Sequence, residues 1–138
     1  ADVNEDMERR KKVRIAVDIV NTLVANEYEE IFTINAFTGE PVVYKEGISK
    51  VIEEQNKVGF KLGVENYMKT YCMDENPEQT AKELNLDYVK EQLENNNTYQ
   101  KIYSIMDENN NIKMKRAFYT YLNKHKDTIV CTIMEVGK

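Results

Sequence analysis

The chain has no Trp, one His, two Cys, two Pro and five Gly in 138 residues. Each scarcity removes a class of protein. A single His leaves no His-rich metal centre, and two distant Cys cannot make a structural zinc site unaided. For Cys72 and Cys131 two readings stay open: reduced, buried thiols, or a disulfide whose geometry the sequence does not give. Gly59 and Gly63 are spaced four apart, but no Lys-Ser or Lys-Thr follows them, so they form no phosphate loop. No apolar run approaches the roughly 18 residues of a membrane-spanning helix. The start carries no signal-peptide pattern, so a cytoplasmic location is the expectation. Asn96-Asn97-Thr98 matches a glycosylation acceptor, which has meaning only in a secreted protein.

What is present describes one soluble globular domain. Hydrophobic residues at 41% and charged residues at 31% suit a chain that buries a core. Nineteen Lys and Arg against 24 Asp and Glu leave a net charge of −5. A general nucleic-acid binder needs a basic face, so nucleic acid is not an expected partner. The chain starts at Ala1 and stops at Lys138 after an apolar strand-like run, which reads as one module of a longer protein.

Periodicity sets the order of elements. From Asp6 to Asn26 there is no Gly or Pro, and Val13, Ala16, Val20 and Leu23 recur at helical spacing. Ile15, Val17, Ile19 and Val24 widen that seam beyond what a surface helix needs. The helix is therefore expected to pack on a second copy of the chain as well. Glu30–Asn35 reads as a strand, Ala36–Glu40 as a turn with Gly39 free to take positive φ, and Pro41–Lys45 as the returning strand.

Gly47 to Asn97 reads as mostly helical. Val64, Tyr67, Met68 and Tyr71 share one face, Asn76 and Pro77 open a helix, and Leu86, Val89 and Leu93 mark another. Asn95-Asn96-Asn97 closes it, because Asn tolerates the left-handed conformation. Thr98–Met106, Ile112–Asn123 and Thr128–Val136 then read as three antiparallel strands. The expected fold is α+β: a five-stranded antiparallel sheet with short helices on one face, preceded by an N-terminal amphipathic helix. The expected division is residues 1–27 for the flanking helix and 28–138 for the sensory domain.

Three segments carry a family resemblance: Tyr28-Glu29-Glu30-Ile31-Phe32-Thr33-Ile34-Asn35 with Thr38-Gly39-Glu40, Met73-Asp74-Glu75-Asn76-Pro77-Glu78, and Lys115-Arg116-Ala117-Phe118. With the element order, they make the chain similar to a PAS domain. It looks like the sensory type fused to diguanylate cyclase (GGDEF) or histidine kinase modules in clostridia-like bacteria. The resemblance implies a sensor that binds a small ligand between sheet and helices, or only dimerises, and relays the signal to an attached output domain. Members of the family also bind haem or flavin, but neither cofactor is expected here. Cys72 lacks the Asn-Cys-Arg-Phe-Leu-Gln setting of the flavin type, and His125 sits in a turn instead of on a haem-binding helix.

Several residues invite chemistry. Asp107, Asn109 and Asn111 begin like a calcium loop, but Ile112 and Phe118 stand where Gly and Glu are needed, so a hairpin turn is the expectation. His125 has no nucleophile motif beside it and reads as a surface turn residue. Arg9, Arg10, Lys11, Lys12 and Arg14 spread around a helix instead of forming a stripe, which suits a solvated surface. On the long strand Ile112, Met114, Arg116, Phe118, Thr120 and Leu122 alternate with Lys113, Lys115, Ala117, Tyr119 and Tyr121. The first set is the more apolar, so Arg116 is expected to face the cleft. Its partner there is an internal acid or an anionic metabolite, unless a bulge turns it outward.

Nine Tyr against four Phe suit either an ordinary core with phenols reaching water or a cleft with polar tips. The candidate pocket is Arg116, Phe118, Tyr67, Tyr71 and Tyr103. The dimer helix is Val13, Ala16, Val20 and Leu23. Catalytic and metal-ligating residues are expected to be none. Two rival readings are a small cone-shaped enzyme of ketosteroid isomerase-like type and a ligand-free dimerisation domain.

Overall fold

The computed structural model describes residues 3–45, 59–122 and 124–137. The helical expectation for residues 47–58 lies outside them. Helix α1 (Val3–Glu27) leads into β1 (Glu30–Asn35) and β2 (Pro41–Lys45). Among the described residues three short helices follow: α2 (Phe60–Tyr71), α3 (Pro77–Leu84) and α4 (Leu86–Asn95). Strands β3 (Thr98–Met106), β4 (Ile112–Tyr121) and β5 (Thr128–Glu135) complete one antiparallel sheet in the order β2-β1-β5-β4-β3. The α+β class and the five-stranded sheet agree with the sequence pattern.

Local chemistry explains the boundaries. Asn35 closes the first hairpin, its side-chain oxygen accepting from the N–H of Phe37 and Thr38, while Gly39 takes φ +75°. Asn76 caps α3 by accepting from the N–H of Gln79 at 3.2 Å, with Pro77 in the first turn where its missing N–H is harmless. Asn76→Ala is expected to lower stability by about 1 kcal/mol, read from the midpoint of urea unfolding. Helix α4 ends differently from expectation. Asn96 is extended, at φ −136°, and its side-chain amide donates to the carbonyl of Gln92. A side chain thus satisfies the last turn where a left-handed residue was expected. Asp107 Oδ1 accepts from the N–H of Asn109 and of Asn111, and Asn110 takes φ +62°. The carboxylate is holding its own turn.

Side-chain parity sets the layers. Phe32 and Ile34 face inward from β1. Pairing carries that parity across the sheet, from Phe32 to Cys131 and on to Tyr119 and Tyr99. These inner rows meet Val64 and Met68 of α2, Leu84 of α3 and Val89 of α4 in one core. The phenol of Tyr99 donates to the carbonyl of Glu83 at 2.9 Å, and that of Tyr119 to Leu84 at 3.3 Å. Both satisfy carbonyls at the C-terminal end of α3 that its own ladder leaves open.

Candidate functional site

The inner face of β4 is Lys115, Ala117 and Tyr119, so the expected facing of this strand is corrected. Arg116 and Phe118 lie on the opposite face of the sheet from Tyr67 and Tyr103, and the five candidate pocket residues do not meet. Counting apolar residues along β4 favoured the wrong face for a physical reason. Ala117 is small enough to sit beneath Phe60 and Val64, and Tyr119 gains a carbonyl partner. The Lys115 side chain also finds an acid. These three gains outweigh exposing Met114 and part of Phe118.

That acid is Glu29, just ahead of β1. Lys115 Nζ donates to Glu29 Oε1 at 2.8 Å and Oε2 at 2.6 Å, with Lys115 only 7% exposed. Next to it Glu30 is fully buried on the inner row between Phe32 and the ion pair. Tyr103, Tyr119 and Cys131 are buried within the same layer. Burial pushes the Tyr103 phenol well up, and the charges of Tyr67 and Glu30 add to this. Burial also raises Tyr119 and Cys131, a hydrogen bond with Tyr119 pulling the thiol partly back. All three groups are therefore neutral over the ordinary pH range. They can donate or accept hydrogen bonds, but as ionised nucleophiles or bases they are silenced.

The space between α2 and the sheet is nearly filled. A cavity of about 10 Å³ is bounded by Phe32, Phe60, Val64, Tyr103, Tyr119 and Ile133. That is room for about one water. Tyr67 is buried above it and Tyr71 half-buried, their rings 5.0 Å apart. Tyr67 and Tyr103 thus belong to the core, with Tyr71 packed against it. An open groove of about 850 Å³ lies elsewhere, on the outside of α2, α3 and α4. Its rim mixes Lys61, Lys69 and Lys82 with Glu65, Asp87 and Glu91, so it presents no field of one sign.

Helix α1 places Val13 and Ala16 on its surface, Val13 being 58% exposed, with Val17 and Ile19 exposed alongside. The side chains of Val20 and Leu23 lie outside the described residues. The basic run Arg9–Arg14 is exposed around the helix, and Arg9 pairs loosely with Asp6 at 3.7 Å. His125 is exposed in the β4–β5 turn. Cys72 and Cys131 are both free thiols, so no disulfide joins them, and only Cys131 is buried as expected, Cys72 being half-buried.

Sequence reasoning passed over Glu29, Glu30 and Lys115. The available signal was Glu29-Glu30 at a strand edge and a Lys of the same parity as Ala117 and Tyr119. No helix among the described residues is long and apolar enough to cross a membrane. No protein-family model matches the chain, and no curated protein matches it either.

Proposed function

We propose that the chain is a sensory or interaction module that works as a homodimer, relays a signal to an attached output domain and performs no reaction of its own. The observation that carries this reading is the architecture. Two strands, a run of helices and three strands form one antiparallel sheet with α2–α4 on a single face, an order compatible with a PAS-like domain. The neutral, buried phenols and thiol fit a module without chemistry. The exposed apolar face of α1 supplies the contact between copies.

The ligand site of this reading is the interior layer of Tyr67, Tyr71 and Tyr103. A cavity of about 10 Å³ holds no metabolite, so α2 must move away from the sheet for one to enter. Binding then selects an opened state, and that shift is the signal. An anion held in the cleft by Arg116 is not part of this reading, because the guanidinium lies beyond the sheet. The filled interior also favours a second reading, a dimerisation domain with no ligand.

Thermal melting against a broad set of small metabolites separates the two. A true ligand at a hundred times its Kd adds about 2.7 kcal/mol. For a domain of this size that raises Tm by roughly 10 °C. Tyr103→Phe is expected to reduce the rise while keeping the fold. If no compound moves Tm, the ligand-free reading stands and the sensor reading falls.

A further inference from the structure

We infer that the open groove across α2, α3 and α4 is a binding site separate from the interior layer, and that it takes a short peptide with free ends. Asn85 at its bottom reads the peptide backbone, the acids of α4 hold the ammonium end, and the lysines of α2 hold the carboxylate end.

Asn85 is the residue that calls for a partner. It joins α3 to α4, and its backbone is fixed on both sides. Its N–H donates to the carbonyl of Lys82 at 3.2 Å, and its carbonyl accepts from the N–H of Val89 at 3.0 Å. The side chain does not cap α4. It lines the groove at only 8% exposure, and its Oδ1 is buried without a hydrogen-bond partner. A buried acceptor in that state is unfavourable until something donates to it. The terminal torsion of Asn is soft, so the amide can turn to offer both of its ends to the groove. A side-chain amide carries an acceptor and a donor side by side, the complement of the N–H and C=O of a peptide chain.

The charges around Asn85 are sorted by helix. The α4 wall carries Asp87 and Glu91, one helical turn apart, with no lining cation beside them. The α2 wall carries Lys61 and Lys69 with Glu65 between them, and α3 adds one of each sign, Glu78 and Lys82. None of these charges belongs to an ion pair among the described residues. Groups of opposite sign that border one space without meeting suit a molecule that bears both signs.

Size selects a peptide over a single amino acid. Helix α3 packs against both α2 and α4 and stands between them. Neighbouring helix axes lie about 8–10 Å apart. A free amino acid has both charged groups on one carbon and does not bridge the two outer walls. Three extended residues reach about 10 Å and do. The groove volume of about 850 Å³ leaves room for such a chain. Its apolar lining is small: Pro77, Ala81 and the ring of Tyr88, which Tyr99 braces edge-on at 5.7 Å. With so little shaped apolar surface, the peptide's side chains are read weakly, and its backbone and ends carry recognition.

Titration of the full chain with trialanine, followed by amide NMR shifts, tests this. Saturable shifts are expected at the Asn85 side-chain amide and along α2–α4, with a dissociation constant of about 1 mM or below. Blocking both peptide ends by acetylation and amidation is expected to weaken binding about fivefold, the scale of exposed ion pairs. Asp87→Asn with Glu91→Gln is expected to weaken the free peptide and to leave the N-acetylated peptide unchanged, a split that a merely structural role does not produce. Asn85→Ala is expected to weaken binding about tenfold, while Tm without peptide stays at or above that of wild type because an unmet acceptor is gone. A lower Tm with unchanged affinity would make Asn85 a structural residue and overturn the inference. No saturable shift at about 10 mM trialanine, or equal binding of blocked and free peptides, overturns it too. Shifts confined to Tyr67 and Tyr103 would place the peptide in the interior and overturn the groove. Tyr103→Phe is expected to leave trialanine binding unchanged, so the interior ligand site and the groove fail separately.

Discussion

Glu29→Ala is expected to destabilise the domain by about 3–5 kcal/mol, the usual effect of stranding one member of a buried ion pair. Against the roughly 5–15 kcal/mol of a typical domain, that is from about a fifth of the total upward. The reason is local. Lys115 is only 7% exposed and both of its short contacts go to the two oxygens of Glu29. Removing the acid leaves the Lys115 ammonium on the inner face without both of its short contacts, with Glu135 opposite it in the ladder already paired with Lys113. Urea unfolding at fixed protein concentration measures it, so that any dimer contributes equally. The double variant Glu29→Leu with Lys115→Met is expected to lie within about 1–2 kcal/mol of wild type, since an apolar pair of similar volume carries no desolvation penalty. A loss below about 1 kcal/mol for Glu29→Ala alone would mean that Lys115 swings out to water, and the interior ion pair would then not be a stabilising element.

The second large effect is alkaline. Tyr103, Tyr119 and Cys131 all have folded-state pKa values raised well above the ordinary phenol and thiol ranges, with burial as the first cause. The unfolded chain loses these protons first, from about pH 8.5 for the thiol and about pH 10 for the phenols. Between the unfolded and the folded values the native state holds more protons than the unfolded one. Stability is then fully present below the unfolded pKa and falls as pH rises. Each group contributes a slope of up to about 1.4 kcal/mol per pH unit, and the three together about 4 above pH 10. Tm is expected to be flat up to about pH 8 and to drop steeply beyond pH 10. Tyr119→Phe removes one ionising group and should make the alkaline drop shallower, even if its lost bond to Leu84 lowers Tm at neutral pH. An equal slope in the variant would show that Tyr119 is not shielded from solvent.

Much of the fold was legible because it depends on short-range chemistry. The hairpin from Glu30 to Lys45 could be read from Gly39, Pro41 and the strand formers around them. The α3 cap could be read from Asn76-Pro77. The closing strands could be read from two polar turns and β-branched runs. Each signal acts within a few residues, so linear order is enough to find it. The interior layer was legible in part. Tyr67, Tyr71 and Tyr103 were chosen by helix and strand period; Tyr67 and Tyr103 belong to the core, with Tyr71 packed against it. Arg116 and Phe118 were chosen by comparing the two faces of one strand, and that comparison failed. Alternation tells which residues of β4 go together. It does not tell which set faces the helices when both sets mix charge and apolar bulk.

The amino-acid pattern by itself therefore determined the number, order and type of the described elements, the α+β class and the positions of the turns. Only the tertiary structure decided the direction of β4, the partner of Lys115 and which apolar surface is left bare. Those outcomes depend on contacts between residues far apart in the chain: Lys115 with Glu29, Tyr119 with Leu84, and Ala117 beneath Phe60 and Val64. A buried ammonium is unfavourable unless an acid meets it, and whether one does is settled only when β1 and β4 are both laid against β5. Once that pairing turns Lys115 inward, strand parity obliges Arg116, Met114 and Phe118 to face outward.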